Sequence, residues 1–148
     1  MPSLLRLCLP AIALLAACQI EKRVPAGPVQ EEETIRAVVL RYYHGALDQD
    51  SAAVANAVSD SVQVVIEGGG LWRHVHGAAA WAQAAAHAPA VHVGEPSRID
   101  IRQEDDLASA WVQERGPAIA RTTHLLLQRE AGTWEIGSIA TVPVTSSH

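Results

Sequence analysis

The chain has 148 residues, which suits one domain of ordinary size rather than two. Its 11 basic residues against 16 acidic ones leave a formal charge of −5, the wrong balance for a protein that must neutralise nucleic-acid phosphates. At 49% hydrophobic and 18% charged residues the chain can bury a core, which excludes wholesale disorder.

Residues 1–17 carry one positive charge, Arg6, ahead of an apolar run that closes on small residues, the layout of a secretory signal peptide. The run stops at Gln19 and Glu21-Lys22-Arg23, short of the roughly 20 apolar residues that a transmembrane helix needs. Its end, Leu15-Ala16-Ala17-Cys18, resembles a bacterial lipobox. That resemblance implies cleavage before Cys18 and lipidation of Cys18 as the new first residue. Gln19 in the following position implies, by the same sorting pattern, the periplasmic face of the outer membrane. Cys8 would then leave with the signal and Cys18 would carry lipid, which excludes thiol catalysis and thiolate metal ligation in the mature chain. The expected organisation is a signal at 1–17, a lipidated cysteine and flexible tether at 18–30, a folded domain at 31–142 and a tail at 143–148.

Acidic Glu31, Glu32 and Glu33 suit a helix N-terminus. Ile35, Val38, Val39, Tyr42 and Ala46 then recur at helical spacing, predicting a helix over 31–47. Asp48-Gln49-Asp50 breaks it, and Asp50 or Ser51 can cap a short helix near 51–58. Ser61 to Glu67, rich in Val and Ile, reads as a strand ending at Gly68-Gly69-Gly70. Leu71 to His76 reads as extended or irregular, and the Ala-rich stretch Gly77 to His87 around Trp81 as a third helix. The period then changes to two. Strands are expected around Ile99 and Ile101, around Ala108, Ala110 and Val112, over 119–129, and from Trp134 to Val142. Short turns between them imply an antiparallel meander, and three helices on one face of that sheet make an α+β domain.

This order of elements resembles the nuclear transport factor 2-like superfamily, and within it the lumazine-binding and SnoaL-like groups. The residues that carry the likeness are Tyr42-Tyr43-His44-Gly45-Ala46-Leu47-Asp48-Gln49-Asp50, Leu107-Ala108-Ser109-Ala110-Trp111-Val112, and the tail from Leu125 through Gly132-Thr133-Trp134-Glu135-Ile136. The resemblance implies a cone-shaped, cystatin-like fold over about residues 31–142, with a pocket between the N-terminal helices and a curved antiparallel sheet. The superfamily includes ketosteroid isomerases, whose chemistry needs a carboxylate base plus a tyrosine and a protonated aspartic acid as oxyanion donors. Tyr42 or Tyr43 stands about where that helix tyrosine would be. Glu67 is the residue available as the base, and Thr122-Thr123 occupy the place of the acid, where a hydroxyl is a poor replacement.

The expected role is therefore non-catalytic: binding a small apolar ligand or a protein partner at the membrane, with no cofactor. The expected pocket is lined by Tyr42, Tyr43, Trp72, Trp81, Trp111 and His124, with Glu67 as a polar group. One alternative is an isomerase, dehydratase or cyclase acting on a carbonyl or polycyclic substrate, with Glu67 or His124 as base and Tyr43 as oxyanion donor. Another is an adaptor forming a homodimer through its sheet face. His74 and His76 share a strand face and His92 is near in sequence, but no acidic partner accompanies them, so no metal is expected. No Gly-x-Ser-x-Gly elbow occurs, and Gly68-Gly69-Gly70 lacks the following Lys-Ser/Thr of a phosphate loop. The arginines at 98, 102, 115, 121 and 129 read as solvated strand faces, and Trp134 as a structural residue after its hairpin.

Overall fold

The structure, a computed structural model, describes residues 27–68, 71–87, 93–116 and 119–143. The predicted lipidation site, Cys18, and the signal around it lie outside the described residues, as does His92. Helices α1 (Pro28–Leu47) and α2 (Ser51–Ala55) lead into strands β1 (Val58–Gly68) and β2 (Leu71–His76), then helix α3 (Ala78–His87). Four strands follow: β3 (Glu95–Glu104), β4 (Leu107–Gly116), β5 (Ile119–Glu130) and β6 (Thr133–Pro143). No described helix is long and apolar enough to cross a membrane.

The α1 stripe buries as its spacing dictates: Ile35, Val38, Val39, Tyr42 and Ala46 all face the sheet, and Tyr43 joins them. Pro28 at the start of α1 has no intrahelical donor to lose there. Asp50 caps α2, its Oδ1 accepting from the backbone N–H groups of Ala52 and Ala53, each at 3.0 Å. Gly45 is required by the crossing of these two helices. A Cβ there would stand 2.9 Å from both the Ala53 Cβ and the Val54 backbone nitrogen.

The six strands form one sheet in the order β2-β1-β6-β5-β4-β3. From β3 to β6 the chain is the expected antiparallel meander, and of the two readings of Leu71 to His76, extended or irregular, the extended one holds: it is a strand hairpinned on β1. One pairing departs from a meander: β1 lies parallel to β6, joining the two halves of the sequence. On β5 and β6, Leu126 faces Ser138 and Leu127 faces Ile136, so Gly137 is an extra residue that bends the sheet. The helices cover one face only. Ala108, Ala110 and Val112 of β4, Leu125 and Leu127 of β5, and Ile136 and Ile139 of β6 form the inner face beneath them. The described buried apolar side chains all fall between Ile35 and Ile139.

The first turn of α1 is tied to the far end of the meander. Glu31 accepts from Arg129 Nη1 at 2.7 Å and from the Trp134 indole N–H at 2.9 Å. Arg129 also pairs with Asp106 and lies over the Trp134 ring, 5.4 Å from its centroid. Trp134 is structural, as its place after the hairpin predicts. Arg129 is a link between three elements rather than a solvated residue.

Candidate functional site

The inner positions of β4 run Ala108, Ala110, Val112 and then Glu114, which puts a carboxylate at the end of an apolar row with only 3% of its surface exposed. A buried carboxylate needs donors, and four converge on it. Oε1 accepts from the Tyr43 hydroxyl of α1 at 2.7 Å and from the Thr123 hydroxyl of β5. Oε2 accepts from the Gly94 backbone N–H at 3.0 Å and from Arg121 Nε at 2.7 Å. Arg121 sits opposite Glu114 in the β4–β5 ladder, so register delivers the ion pair. Gly94 can approach because it has no side chain: a Cβ would press on the Glu114 Cβ at 3.1 Å and on the Arg115 carbonyl oxygen at 3.2 Å. Thr141 of β6 lies 3.1 Å from the Thr123 hydroxyl. Since the single Thr123 proton is committed to Glu114, Thr141 donates to Thr123.

Beside this cluster stand the aromatic residues of α1 and α3. Tyr42 meets Tyr43 edge to face at 5.1 Å and lies nearly parallel to Trp81, with ring centroids 6.4 Å apart. All three are buried. Burial raises the pKa of both tyrosines far above the usual phenol value, and the negative charge of Glu114 raises it further. Both hydroxyls are accordingly fixed as neutral groups able to donate. Glu114 is the reverse. Each of its oxygens already accepts two hydrogen bonds, about the full capacity of a carboxylate, so it has no lone pair in reserve for abstracting a proton.

Of the sequence-predicted pocket residues, Tyr42, Tyr43 and Trp81 come together here. Trp111 and His124 do not. They face each other across β4 and β5 on the outer side of the sheet, stacked at 3.9 Å with Trp111 46% exposed. Alternation along β5 puts His124 on the side of Leu126, and the helices cover the opposite face. His124 is thereby removed as a base acting with Tyr43. Glu67 and Trp72 pair across the β1–β2 hairpin, and their side chains lie outside the described set. His76 is exposed, the side chain of His74 is likewise outside that set, and among the described residues no three His, Cys, Asp or Glu cluster as metal ligands. Glu114, Arg121, Thr123 and Thr141 were missed as a site. The available signal was Glu114 itself, two residues beyond Val112 on the buried parity of its strand.

The outer-face histidine yields a test of its own. His124 Nε2 is buried without a hydrogen-bond partner, and burial lowers its pKa below the ordinary value. The unfolded chain therefore binds that proton more readily. Stability at neutral pH is unaffected by this group and falls as pH drops through the ordinary histidine range, about 6.5. An NMR titration of the His124 ring should give a midpoint below that value, with a lower unfolding temperature at pH 5.5 than at 7.5. A midpoint at or above the ordinary value contradicts the burial.

Residues 30–139 match the family described as "Putative lumazine-binding". No curated protein matches the sequence. Among solved structures, a nuclear transport factor 2-like protein of unknown function from Silicibacter pomeroyi is similar over 80% of this chain and 99% of its own, at 16% identity and a TM-score of 0.69. A nuclear transport factor 2-like protein with a cystatin-like fold from Novosphingobium aromaticivorans covers 80% and 85% at 16% identity, TM-score 0.65. A protein described as "a putative ketosteroid isomerase" from Shewanella frigidimarina covers 74% and 94% at 18% identity, TM-score 0.57. Likeness at these identities establishes the fold alone. With helices on one face of a bent sheet and a family match over most of its length, the chain belongs to the "Putative lumazine-binding" family, of nuclear transport factor 2-like fold.

Proposed function

We propose that this protein is a lipid-anchored envelope protein that binds a small, largely apolar molecule between its helices and its sheet without transforming it. The observation that carries this reading is the buried Glu114–Arg121 pair with its ring of donors. Replacing a buried ion pair with apolar side chains is often neutral or stabilising, so stability alone is a weak reason to keep one. A polar fixture at the end of an apolar interior is what a ligand site of mixed character requires. The family description makes lumazine, a flat bicyclic ring with carbonyl groups, the natural first probe. Isomerase, dehydratase or cyclase chemistry would need a base beside the tyrosines. Within the described cluster the carboxylate is saturated and His124 stands on the other face.

The outer face supports a second reading. Trp111, Leu126 and Val142 are 46%, 48% and 52% exposed on one side of the sheet, an apolar surface suited to a protein partner or a second copy of the chain.

Native mass spectrometry of residues 19–148, with and without lumazine, addresses both. A one-to-one adduct that is lost on denaturation is the expected result. An empty domain that runs as a dimer would move the function to the outer face. For the anchor, Cys18→Ser should shift the protein out of the membrane fraction, and unchanged membrane association would refute lipidation at Cys18.

A further inference from the structure

Outside the interior site, a groove of about 490 Å³ runs along β3, the edge strand of the sheet. Its walls hold three arginines, Arg36, Arg98 and Arg102, two carboxylates, Glu32 and Asp100, and the ring of Trp111. These charges do not cancel. Arg36 donates to Glu32 at 2.9 Å and to the Ile99 carbonyl oxygen at 3.3 Å. Arg98 pairs with Asp100 at 2.9 Å. Arg102 is exposed and makes no hydrogen bond or ion pair with a described residue. Both carboxylates are thus answered from within the groove, and one guanidinium is left over in a chain whose formal charge is −5. An anion is the ligand that this balance admits.

Trp111 supplies a flat apolar wall beside that charge. It faces Asp100 across the β3–β4 ladder and His124 across the β4–β5 ladder. His124 stacks on one face of the indole, with centroids 3.9 Å apart and planes 11° from parallel. The imidazole comes from the β5 side, so the other face of the indole is turned toward β3 and the groove. Backed in this way, the ring is already in place for a ligand and need not be ordered by one.

We infer that this groove is a second binding site, independent of the interior one, for a flat aromatic carboxylate whose ring lies against Trp111 and whose carboxylate accepts from the Arg102 guanidinium. Arg102 stands two residues along β3 from Asp100, the residue opposite Trp111, and on the same side of the sheet. That spacing is about 7 Å, within reach of a long side chain. A guanidinium meets a carboxylate with two parallel N–H donors, which fixes the orientation of the acid as well as attracting it. A neutral aromatic molecule keeps the ring contact alone, and a cationic one meets Arg102 as a like charge.

The test compares 2-naphthoate with its neutral counterpart 2-naphthamide on the full chain. Naphthoate should bind about three- to fivefold more tightly, the margin of one exposed charge pair, and added salt should narrow that margin. Binding should shift the Trp111 indole N–H and His124 ring resonances. Arg102→Gln should abolish the margin and leave naphthamide binding unchanged, whereas Trp111→Leu should weaken both probes alike. Arg102 is exposed and Trp111 half-exposed, so the fold does not depend on either side chain. Tyr42→Phe, in the interior, should alter neither affinity. If naphthoate keeps its margin in Arg102→Gln, or binds without moving the Trp111 resonance, it sits elsewhere and the groove site is overturned while the interior reading stands. Failure of naphthoate to bind overturns the groove site as well, and the lumazine experiment still decides the interior one.

Discussion

Glu114→Ala should lower the thermal unfolding midpoint by about 12–20 °C. Removing one member of a buried ion pair costs about 3–5 kcal/mol, and a domain of this size loses about 4 °C per kcal/mol. Here the remaining charge is Arg121, whose side chain is only 16% exposed. The hydroxyls of Tyr43 and Thr123 and the Gly94 N–H lose their acceptor in the same step. Glu114→Gln tests the charge separately. Its amide can keep one oxygen for Tyr43 and Thr123, but it then turns an NH2 group toward the Gly94 N–H and Arg121. The double variant Glu114→Leu with Arg121→Met should recover most of the loss, since no charge is then buried. Differential scanning calorimetry of the three variants decides the matter. A single-variant shift below about 4 °C, or a double variant no better than Glu114→Ala, would show that the pair is not the buried unit described.

The second large effect separates two adjacent leucines. Leu125→Ala should cost about 2–5 kcal/mol, because its side chain is fully buried beneath the helices and truncation leaves a cavity. Leu126→Ala should change the stability of the monomer by about 0.5 kcal/mol or less, since Leu126 is 48% exposed on the outer face. Chemical denaturation of the two variants is sufficient. Equal losses, or a larger loss at 126, would mean that β5 is paired one residue out of register, exchanging its two faces.

Those same leucines show how far the amino-acid pattern can be read. Local periodicity is intrinsic to a segment, so α1 was legible from Ile35, Val38, Val39, Tyr42 and Ala46, and β4 from Ala108, Ala110 and Val112. The faces of β5 were not. Leu125-Leu126-Leu127 is apolar on both parities, and alternation states which residues share a side without stating which side the helices cover. His124, which shares a side with Leu126, was therefore assigned to the wrong surface. The parallel pairing of β1 with β6 is set by contacts between distant parts of the chain, for which neither segment carries a local signature. Arg121 was read as solvated because charged strand residues usually are. Its partner Glu114 lay on a parity already assigned to the interior, and extending that alternation by one more step would have exposed the conflict and hence the site.

The tie between Glu31, Arg129 and Trp134 also has a mechanical meaning. Tyr43 lies 12 residues further along α1 than Glu31, which at 1.5 Å per residue places it about 18 Å up the helix axis. A pull on Gly27 would load the helix at its first turn, where the carboxylate of Glu31 is bolted to the hairpin of β5 and β6. Tension would be borne there and pass into the sheet before reaching the tyrosines. The geometry around Glu114, at the opposite end of the same helix, would then be shielded from a load applied at Gly27.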